Sequence, residues 1–458
     1  MSVTLIEKKI NPLLIRFKIN GSLNNEPVLF TWEDSLSKNI KHIDEILLSS
    51  NLEYYSSVNK NLSFFENGIT FKIISLKDYK CLYSYNFKNL SFITGKNILY
   101  ISQNNYSGYS YAARNYIYQL LQSEYNVQWS DKFTTSNAYK PVNNEERLVF
   151  NCLNNKIDYD SVIIHHTPES WKPIFDQIPR GKKVYGLTTW ETTRLHPVWV
   201  DFINNSVDEV IVPSKFNIES FKQSGVNKPL NLWYHDIFSF QKSPINVIDL
   251  FNKFVLFNGK EFTKNAMLIK NITEQNTVYY NISQFVNRKN IHQVIGSFCK
   301  KFTHDDNVCL FVKTYIETFS QKEINAVKYK IAEITRQFTN LPKIIFCFEN
   351  LNSDEINTIH EIGDVYFTLN RGEGFGLCTY TAKKIGNRII CGKFGAEKEF
   401  LDDDDLLLDY ELGSSDYLDD HNKFYIGHGQ QCAFYDTDYV VSKLKYFPKT
   451  IKTKYNIV

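Results

Sequence analysis

Apolar runs alternate with amphipathic stretches over most of the chain. Runs such as Asn97–Ile101 and Lys183–Leu187 are short and mostly apolar, with few charges inside them. Between such runs lie stretches in which apolar positions recur with helical spacing. Buried strands that alternate with helices are typical of parallel sheets covered on both faces. The pattern from residue 96 onward therefore predicts an α/β fold.

The first 93 residues have a different pattern. Their short β-type runs cover residues 3–6, 13–19, 28–32, 69–74 and 79–85. Clusters of Asn, Gly and Ser separate these runs, and one stretch, 38–48, has the spacing of a helix. We predict a small β-rich accessory domain over residues 1–93. Its many Tyr and Phe residues are better explained as the core of that domain than as a sugar-stacking surface.

The alternation of strands and helices comes in two blocks. It predicts two Rossmann-like domains with parallel sheets that face each other, at residues 94–248 and 249–430. The final segment, 431–458, contains a helical stretch at 439–446, which we expect to cross back and brace the first of these domains.

Composition narrows the class of protein. The chain has 458 residues, with 43% hydrophobic and 22% charged residues, and a net charge of +2. This is ordinary for a globular protein and gives no electrostatic footprint for nucleic acid. The eight cysteines form no C-x-x-C pair, which argues against a zinc site or a disulfide framework.

The same features predict a location. The start of the chain lacks the layout of a signal peptide, and no run approaches the ~20 apolar residues of a membrane span. We therefore expect a cytoplasmic protein with no transmembrane segment. Peripheral attachment to a membrane surface and homo-oligomer formation both stay open.

A glycine-rich turn carries the clearest sign of chemistry. Segment 369–377 follows a predicted strand at 364–369 and precedes a predicted helix at 377–385, which Gly386 would end. Such a turn places backbone N–H groups and a helix N-terminus at the carboxyl edge of the sheet, where ligands bind. Glu373 lies between two glycines there. A carboxylate in that place is suited to bind hydroxyl groups beside an anion.

Other candidates lie near predicted strand ends. Arg288 and Lys289 precede a predicted helix at 291–302, and two cations beside a helix N-terminus suit a diphosphate. Asn290 and Gln293 have the spacing of a capping box at this helix. In the first domain, Gly108 lies in the loop between a strand and a helix, as in a Rossmann-like opening, although one glycine is a weak signal.

The first Rossmann-like domain also contains candidate residues for binding an acceptor, the substrate whose hydroxyl group would react. His165 and His166 follow a predicted strand, and one of them is placed to hydrogen-bond a reacting hydroxyl. Trp190 and Glu191 lie at another strand end, where an acceptor role and local packing are equally good interpretations. The acidic runs 402–405 and 436–438 look like solvated loops, so we predict no metal site.

Several ordered motifs resemble one known family, the retaining glycosyltransferases of family 4 with the GT-B fold. Residues 190–200 look like its W/F-E-T-x-x-L-P-x-x-W segment, and 208–225 look like its D-E-V-W-V-P-S-x-F stretch. Residues 234–236 are similar to its P-H-G segment. Residues 285–290 resemble its R-K-N donor motif, and 372–377 its G-E-G-F-G-L. The resemblance covers the chain from about residue 96 onward and leaves the predicted accessory domain, residues 1–93, unassigned.

The resemblance implies a function and a set of site residues. It implies that a nucleotide-diphosphate sugar binds mainly to the second Rossmann-like domain and a hydroxyl acceptor to the first. The implied catalytic residues are His166 (in preference to His165), Glu373, Arg288 and Lys289. The implied donor-binding residues are Gly108, Arg288, Lys289, Glu373, Gly374, Phe375, Gly376, Leu377 and Thr381. His165, Trp190 and Glu191 are expected on the acceptor side.

The family also implies a mechanism. Transfer occurs with retention at the front face, and the leaving phosphate helps to deprotonate the acceptor. The protein positions the reactants and neutralises charge on the diphosphate. No cofactor and no metal are expected, and the nucleotide-sugar is a co-substrate.

Two positions depart from the family pattern. The family usually has a second glutamate, eight residues after the first, that binds the nucleotide ribose, but Thr381 stands there in this chain. Losing such a charge-assisted hydrogen bond costs about 1.5–3 kcal/mol if nothing replaces it. Many members also have an arginine about five residues before the lysine. Gln284 stands there, and Arg288 is a possible substitute.

Three hypotheses on function follow. The first is a glycosyltransferase, specifically a hexosyltransferase, acting on a glycan, a lipid-linked sugar or a protein. The second is a non-catalytic GT-B-like protein that binds a glycan or a partner protein, which the threonine at 381 motivates. The third is a viral or phage glycosyltransferase acting on modified DNA bases, against which the near-neutral charge argues mildly.

Overall fold

The computed structural model describes residues 92–134, 138–153, 155–237, 245–418 and 423–449, together with Leu90 and seven strands within the first 87 residues. Those seven strands form two antiparallel sheets. One has the order β1-β2-β5 and the other the order β4-β3-β6-β7. The strands are β1 Ser2–Ile10, β2 Leu13–Asn20, β3 Glu26–Asp34, β4 Ile40–Leu48, β5 Glu53–Val58, β6 Ile69–Ser75 and β7 Cys81–Phe87.

The helix expected at 38–48 is wrong. This stretch forms β4, which pairs antiparallel with β3 along its whole length. Its apolar residues recur with near-helical spacing, but pairing with a neighbouring strand overrides so weak a local signal. Where side chains of this region are described, Phe30, Trp32 and Phe71 are fully buried and pack on one another. They favour the aromatic-core interpretation.

The first Rossmann-like domain has a six-stranded parallel sheet of order β13-β12-β11-β10-β8-β9. Its strands are β8 Asn97–Ile101, β9 Asn126–Ser130, β10 Ser161–His165, β11 Lys183–Leu187, β12 Glu209–Val212 and β13 Leu230–Leu232. Its helices are α1 Gly108–Gln122, α2 Asn144–Phe150, α3 Trp171–Phe175, α4 Pro197–Asn204 and α5 Lys215–Gln223. Apolar side chains from the two faces of the sheet form separate clusters, so the sheet is covered on both faces.

The second Rossmann-like domain has an eight-stranded sheet of order β15-β14-β18-β17-β16-β19-β20-β21. Its strands are β14 Phe254–Phe257, β15 Phe262–Thr263, β16 Thr277–Gln284, β17 Val308–Tyr315, β18 Lys343–Cys347, β19 Val365–Phe367, β20 Arg388–Gly392 and β21 Leu406–Leu408. Its helices are α6 Val247–Phe251, α7 Ala266–Gln275, α8 Ile291–Lys301, α9 Gln321–Thr335, α10 Ser353–Ile362 and α11 Leu377–Lys384. The sheet is parallel except at one edge, where β14 and β15 run antiparallel.

These two domains confirm the predicted fold class, an α/β fold in which two Rossmann-like domains with parallel sheets face each other. The strand order of the second sheet reverses between β16 and β19. In open α/β sheets, ligands bind at the carboxyl ends of the strands beside such a switch point. Among the helices of the described residues, none combines the length and the apolar character that a membrane crossing requires.

Helix termini near the switch point are fixed by local hydrogen bonds. Ser214 caps α5, and Asn352 with Glu355 forms a complete capping box at α10. Gly386 follows α11 with φ +84°, which confirms it as the stop of that helix. The capping box expected at α8 is wrong: the side chain of Asn290 donates instead to Gln293 Oε1 and to the Leu369 carbonyl.

The end of the chain also differs from expectation. Two strands, β22 Glu411–Ser414 and β23 Gln431–Phe434, pair antiparallel before the last helix, α12 Thr437–Lys443. The expected bracing of the first domain by this helix is wrong, because Val440, Leu444 and Phe447 lie in the core of the second domain. The segment just before it reaches the first domain instead, where Leu418 and Tyr425 join an apolar cluster.

Two sets of hydrogen bonds join the Rossmann-like domains. Glu399 of the second domain accepts the backbone N–H groups of Lys215 and Phe216, at 2.9 and 2.8 Å, where α5 begins. Elsewhere, Ser353 at the start of α10 donates to Glu146 of the first domain at 2.8 Å. The domains are therefore held in close contact around the cleft between them.

Candidate active site

A cavity of about 440 Å³ lies between the two Rossmann-like domains. The first domain lines it with loops that follow β8, β10, β11 and β12, and the second with the ends of β16 and β17 and the starts of α10 and α11. Most of the predicted site residues line this cavity: Gly108, His165, Glu191, Arg288, Lys289, Glu373, Phe375, Gly376, Leu377 and Thr381. His166, Gly374 and Trp190 do not.

Glu373 and two cations form the centre of the site. The Lys289 ammonium donates to Glu373 Oε2, and Arg288 Nη1 lies 3.8 Å from the same oxygen. The Arg288 guanidinium also donates to the Gly372 carbonyl at 3.0 Å. Burial opposes ionisation of Glu373, but the charges of Lys289 and Arg288 outweigh it and lower the pKa of this carboxyl. Glu373 is therefore ionised at neutral pH.

The glycines of the turn allow the domains to touch. A Cβ added at Gly372 would meet the Glu191 carbonyl oxygen at 2.3 Å. One added at Gly374 would meet Thr189 Oγ1 at 1.8 Å and the Trp190 carbonyl oxygen at 2.9 Å. Ser214 Oγ also donates to the Gly374 carbonyl at 2.8 Å. Gly374 thus serves the contact between domains rather than the cavity wall.

The turn ends at the N-terminus of α11. Gly376 is its N-cap, with φ +88°, and the Gly376 N–H donates to the Glu373 carboxylate. The backbone N–H groups at this end are suited to an anion, because they have no acceptor within the helix. Leu377 and Thr379 of this first turn line the cavity together with Arg288 and Lys289. Two cations and a helix N-terminus therefore converge on one part of the cavity.

A second buried glutamate supports the turn. Glu397 Oε1 accepts hydrogen bonds from the Thr379 hydroxyl and, at 3.3 Å, from the Asn370 amide. Burial and the nearby charge of Glu373 raise the pKa of Glu397 to about 7. A sequence search for site residues missed it, because it lies 24 positions beyond Glu373.

The two adjacent histidines, His165 and His166, lie in different surroundings. His165 is the last residue of β10, is buried and lines the cavity, and Tyr100 lies 2.7 Å from its Nδ1. His166 turns away: its ring stacks on Phe133, and Ser170 lies 2.9 Å from its Nδ1. His165 therefore lines the cavity, whereas His166, which was expected to be catalytic, does not. Burial lowers the pKa of His165 well below its usual value, so the ring is neutral.

Trp190 and Glu191 also separate. The Trp190 side chain is fully buried, donates to the Arg194 carbonyl at 2.7 Å and packs against Trp199. This contradicts an acceptor-side role for Trp190 and agrees with local packing. Glu191 lines the cavity, lies 3.7 Å from Arg288 and accepts a hydrogen bond from Tyr425 at 2.9 Å. It links the first domain to the donor-side cation.

Besides Glu191 and Glu373, the described lining residues of the cavity include no carboxylate. Thr381 lines the cavity and is almost fully buried, and Ser283, Gln284 and the asparagines at the start of α10 line it as well. Lys313, the third residue from the end of β17, is also a lining residue. Sequence analysis missed it, although a lysine that interrupts a buried apolar strand is a detectable signal.

The parts of the chain that the structure describes contain no group of three or more His, Cys, Asp or Glu side chains placed to hold a metal ion. The acidic run at 402–405 is tied up locally, since Lys383 donates to Asp402 at 2.8 Å and to Asp405 at 2.6 Å.

No protein-family model and no curated protein sequence matches the chain. Among solved structures, it is similar to HepE from Anabaena in complex with UDP, at 12% identity over 69% of this chain and 86% of that one, with a TM-score of 0.45. It is also similar to the trehalose 6-phosphate synthase of Burkholderia multivorans, at 8% identity over 69% and 87% of the two chains, with a TM-score of 0.45. The S. aureus protein TarM matches at 11% identity over 89% and 70%, with a TM-score of 0.37. At these low values we base the function on the residues of the site itself.

Proposed function

We propose that the protein is a glycosyltransferase that moves a sugar from a nucleoside-diphosphate sugar to a hydroxyl group of an acceptor. One observation carries this proposal. Glu373 is ionised between Arg288 and Lys289, beside the N-terminus of α11, in a cavity between two Rossmann-like domains. A ligand that needs both a carboxylate for hydroxyl groups and cations for phosphates is a sugar joined to a diphosphate.

The donor-side residues suit that ligand in order. Arg288, Lys289 and the first turn of α11 offer donors to the diphosphate oxygens. The sugar then lies beside Glu373, which accepts hydrogen bonds from its hydroxyl groups. In the free protein Lys289 already contacts Glu373, so the diphosphate shares a lysine that is held in place. The reacting groups are thereby positioned before the acceptor arrives.

The proposed chemistry is transfer with retention. A bond forms between the acceptor oxygen and the anomeric carbon on the face that the diphosphate leaves, and the bond from that carbon to the phosphate oxygen breaks. The acceptor proton passes to the leaving phosphate. Arg288 and Lys289 stabilise the negative charge that develops there, which is why we propose that no metal and no cofactor is required.

The acceptor-side wall comes from the first domain. The Tyr100 hydroxyl lies 2.7 Å from Nδ1 of neutral His165. We propose the tautomer in which Nδ1 accepts from Tyr100, so that Nε2 carries the proton and donates it to a substrate oxygen. Tyr106 and Tyr109 also line the cavity. Aromatic rings with polar edges suit the faces of a sugar, so we propose a glycan as the acceptor in preference to a lipid-linked sugar or a protein.

The test uses the full chain and a panel of nucleotide-sugars. Donor hydrolysis or transfer is expected for one member, with the product in the same anomeric configuration as the donor and with rates unaffected by a chelator. Glu373→Ala and Lys289→Ala should each lower turnover at least a hundredfold, whereas the exposed Lys398→Ala should not change it. Normal turnover in both site variants would refute the proposal.

A second candidate is a non-catalytic protein that uses the same cavity to bind a glycan or a partner. Thr381 favours this candidate, because a buried threonine in the wall of the cavity offers a ribose no charged acceptor. Tight nucleotide-sugar binding without hydrolysis or transfer to any glycan in the panel would support this candidate.

A further inference from the structure

Lys313 is a buried cation in the cavity that the proposed reaction does not use. Its side chain is 5% exposed, and it points from β17 to the same face as Tyr315, which also lines the cavity. It pairs in register with Ile282 on β16 and with Cys347 on β18. Lys313 thus lies beside apolar residues, at the carboxyl edge of the sheet.

No counter-ion balances this lysine among the described residues. Its ammonium has only the rings of Tyr315 and Phe319 as partners, with the ring centroids 4.2 and 4.9 Å away. Burial lowers the pKa of Lys313 to about 8, and only the thiols of Cys347 and Cys378 oppose this. An ammonium buried without an oxygen partner is unfavourable for the free protein, which indicates that an oxygen ligand completes its surroundings.

The place of Lys313 relative to the switch point shows which part of a donor reaches it. Arg288, Lys289 and the start of α11 take the diphosphate next to β16 and β19. β17 pairs with β16 on the side away from β19, so Lys313 lies one strand further along the carboxyl edge than the residues that take the diphosphate. The neutral residues Ser283, Asn350, Asn352, Asn357 and Thr381 line the same cavity.

We propose that Lys313 binds the nucleoside part of the donor, with its ammonium donating hydrogen bonds to oxygen atoms of the ribose or the base. This inference rests on the proposed function. It means that this chain recognises the nucleoside through a cation that donates hydrogen bonds, and not through a carboxylate at position 381. Ribose hydroxyl groups and base carbonyl groups both accept such bonds.

Calorimetry with nucleotides tests the assignment. The diphosphates of uridine, guanosine and adenosine identify the base that the wild-type protein binds, and the matching monophosphate is then measured. Lys313→Met should weaken the diphosphate and the monophosphate by the same factor, about tenfold. Lys289→Met should weaken the diphosphate much more than the monophosphate. The exposed Lys330→Met should bind both like the wild-type protein.

The outcomes separate the inference from the function on which it rests. Unchanged affinities in Lys313→Met, or a loss confined to the diphosphate, would overturn the role of Lys313 and leave the function standing. If no nucleotide binds the wild-type protein, both fall together. A 2′-deoxynucleotide distinguishes the two sources of oxygen: equal affinity for variant and wild type assigns the contact to the ribose, and a persistent difference assigns it to the base.

Lys313→Met should fold, because Met has a similar length to Lys. The substitution also removes a buried charge, which often stabilises a protein. Thermal unfolding of Lys313→Met should therefore occur at or above the wild-type temperature. If it does not fold, Lys313→Gln keeps an N–H donor and should show a smaller loss of affinity than tenfold, again equal for the two nucleotides.

Discussion

Two buried glutamates near the turn differ in what balances their charge. Glu373 has Lys289 and Arg288 within salt-bridge distance, and the pKa of its carboxyl is lowered. Glu397 has hydrogen-bond donors but no cation at that distance among the described residues. Burial and the charge of Glu373 raise its pKa to about 7. At neutral pH, one carboxylate is therefore ready for a ligand while the other still holds much of its proton.

This difference predicts how stability depends on pH. The pKa of Glu397 is about 7 in the folded protein, against 4.5 for an ordinary glutamate side chain, so the folded state holds the extra proton between those values. The free energy of unfolding should therefore fall as pH rises from about 5 to 7.5, by the order of 1–3 kcal/mol from this group. Glu397→Gln should remove that part of the decline in denaturant titrations. Parallel curves for variant and wild type would show that Glu397 ionises normally.

Gly374 predicts a second effect at a single residue. In Gly374→Ala the new Cβ would lie 1.8 Å from Thr189 Oγ1 and 2.9 Å from the Trp190 carbonyl oxygen, which Asn217 fixes by a hydrogen bond. The domains must separate to make room, so we expect a loss of about 1–3 kcal/mol of stability and at least tenfold weaker donor binding.

The control for Gly374 is another glycine at the cleft. Gly108→Ala meets no atom within 4 Å and should unfold at the wild-type temperature. Adding Thr189→Ala to Gly374→Ala removes the nearest clash and should restore part of the stability. Additive effects of these two substitutions in the double variant would contradict the clash.

Single residues also show where sequence reasoning stops. Arg288, Lys289 and Glu373 could be chosen from the sequence, because their places at helix and strand ends follow from local pattern. The choice between His165 and His166 could not, since it depends on which side of β10 faces the cleft. Glu397 and Lys313 become visible only when distant segments pack together.

At the scale of elements, local pattern predicted most of the two Rossmann-like domains. Strands β8 and β11 have the predicted bounds, because each is bounded by turn residues and lies in a sheet that is covered on both faces. The errors fall where pairing or packing decides. Segment 38–48 becomes β4, and α12 joins the second domain instead of the first. In both, the partner lies far away in the sequence.

The start of helix α5 is the basis of a prediction at the scale of elements. Glu399 of the other domain accepts two backbone N–H groups there and, at 3.2 Å, a hydrogen bond from the Tyr234 hydroxyl. A carboxylate at a helix N-terminus is stabilising, and these bonds also join the domains. Glu399→Ala should therefore lower the free energy of unfolding by about 1–3 kcal/mol.

Thermal or denaturant unfolding measures the effect of Glu399→Ala. The matched control is Glu411→Ala, which removes an exposed glutamate of the same domain and should leave stability within about 0.5 kcal/mol of the wild type. Equal stability of the two variants would mean that water replaces Glu399 at the start of α5 without loss.

At the scale of the whole molecule, more of the fold than of the site could be predicted from the sequence. Two blocks of alternating strands and helices are enough to predict two facing domains, because buried parallel strands need helices on both faces. The cavity depends on how the domains meet. Its glycines and its link between Tyr425 and Glu191 join segments that are distant along the chain.

The hydrogen bond between Glu146 and Ser353 is the basis of a prediction about how the two Rossmann-like domains move relative to each other. Glu146 is fully buried in the first domain, where it accepts hydrogen bonds from Tyr139 and from the Val142 N–H at 2.9 Å each. Its bond from Ser353, together with that from Asn143 to Asp354 at 3.2 Å, attaches the start of α10 to the first domain. Tyr139 and Ser353 both line the cavity, so opening here would open the site.

Ser353→Ala removes one of these links and leaves Glu146 its partners within the first domain. The closed arrangement should lose part of its population, and the apparent dissociation constant of the donor rises by the inverse of the fraction that remains closed. We expect three- to tenfold weaker donor binding by calorimetry, and a larger radius of gyration in X-ray scattering that returns to the wild-type value with saturating donor. Ser442→Ala, in α12, should change neither quantity. A variant that scatters and binds like the wild type would show that the glycine turn and Glu399 hold the domains together without α10.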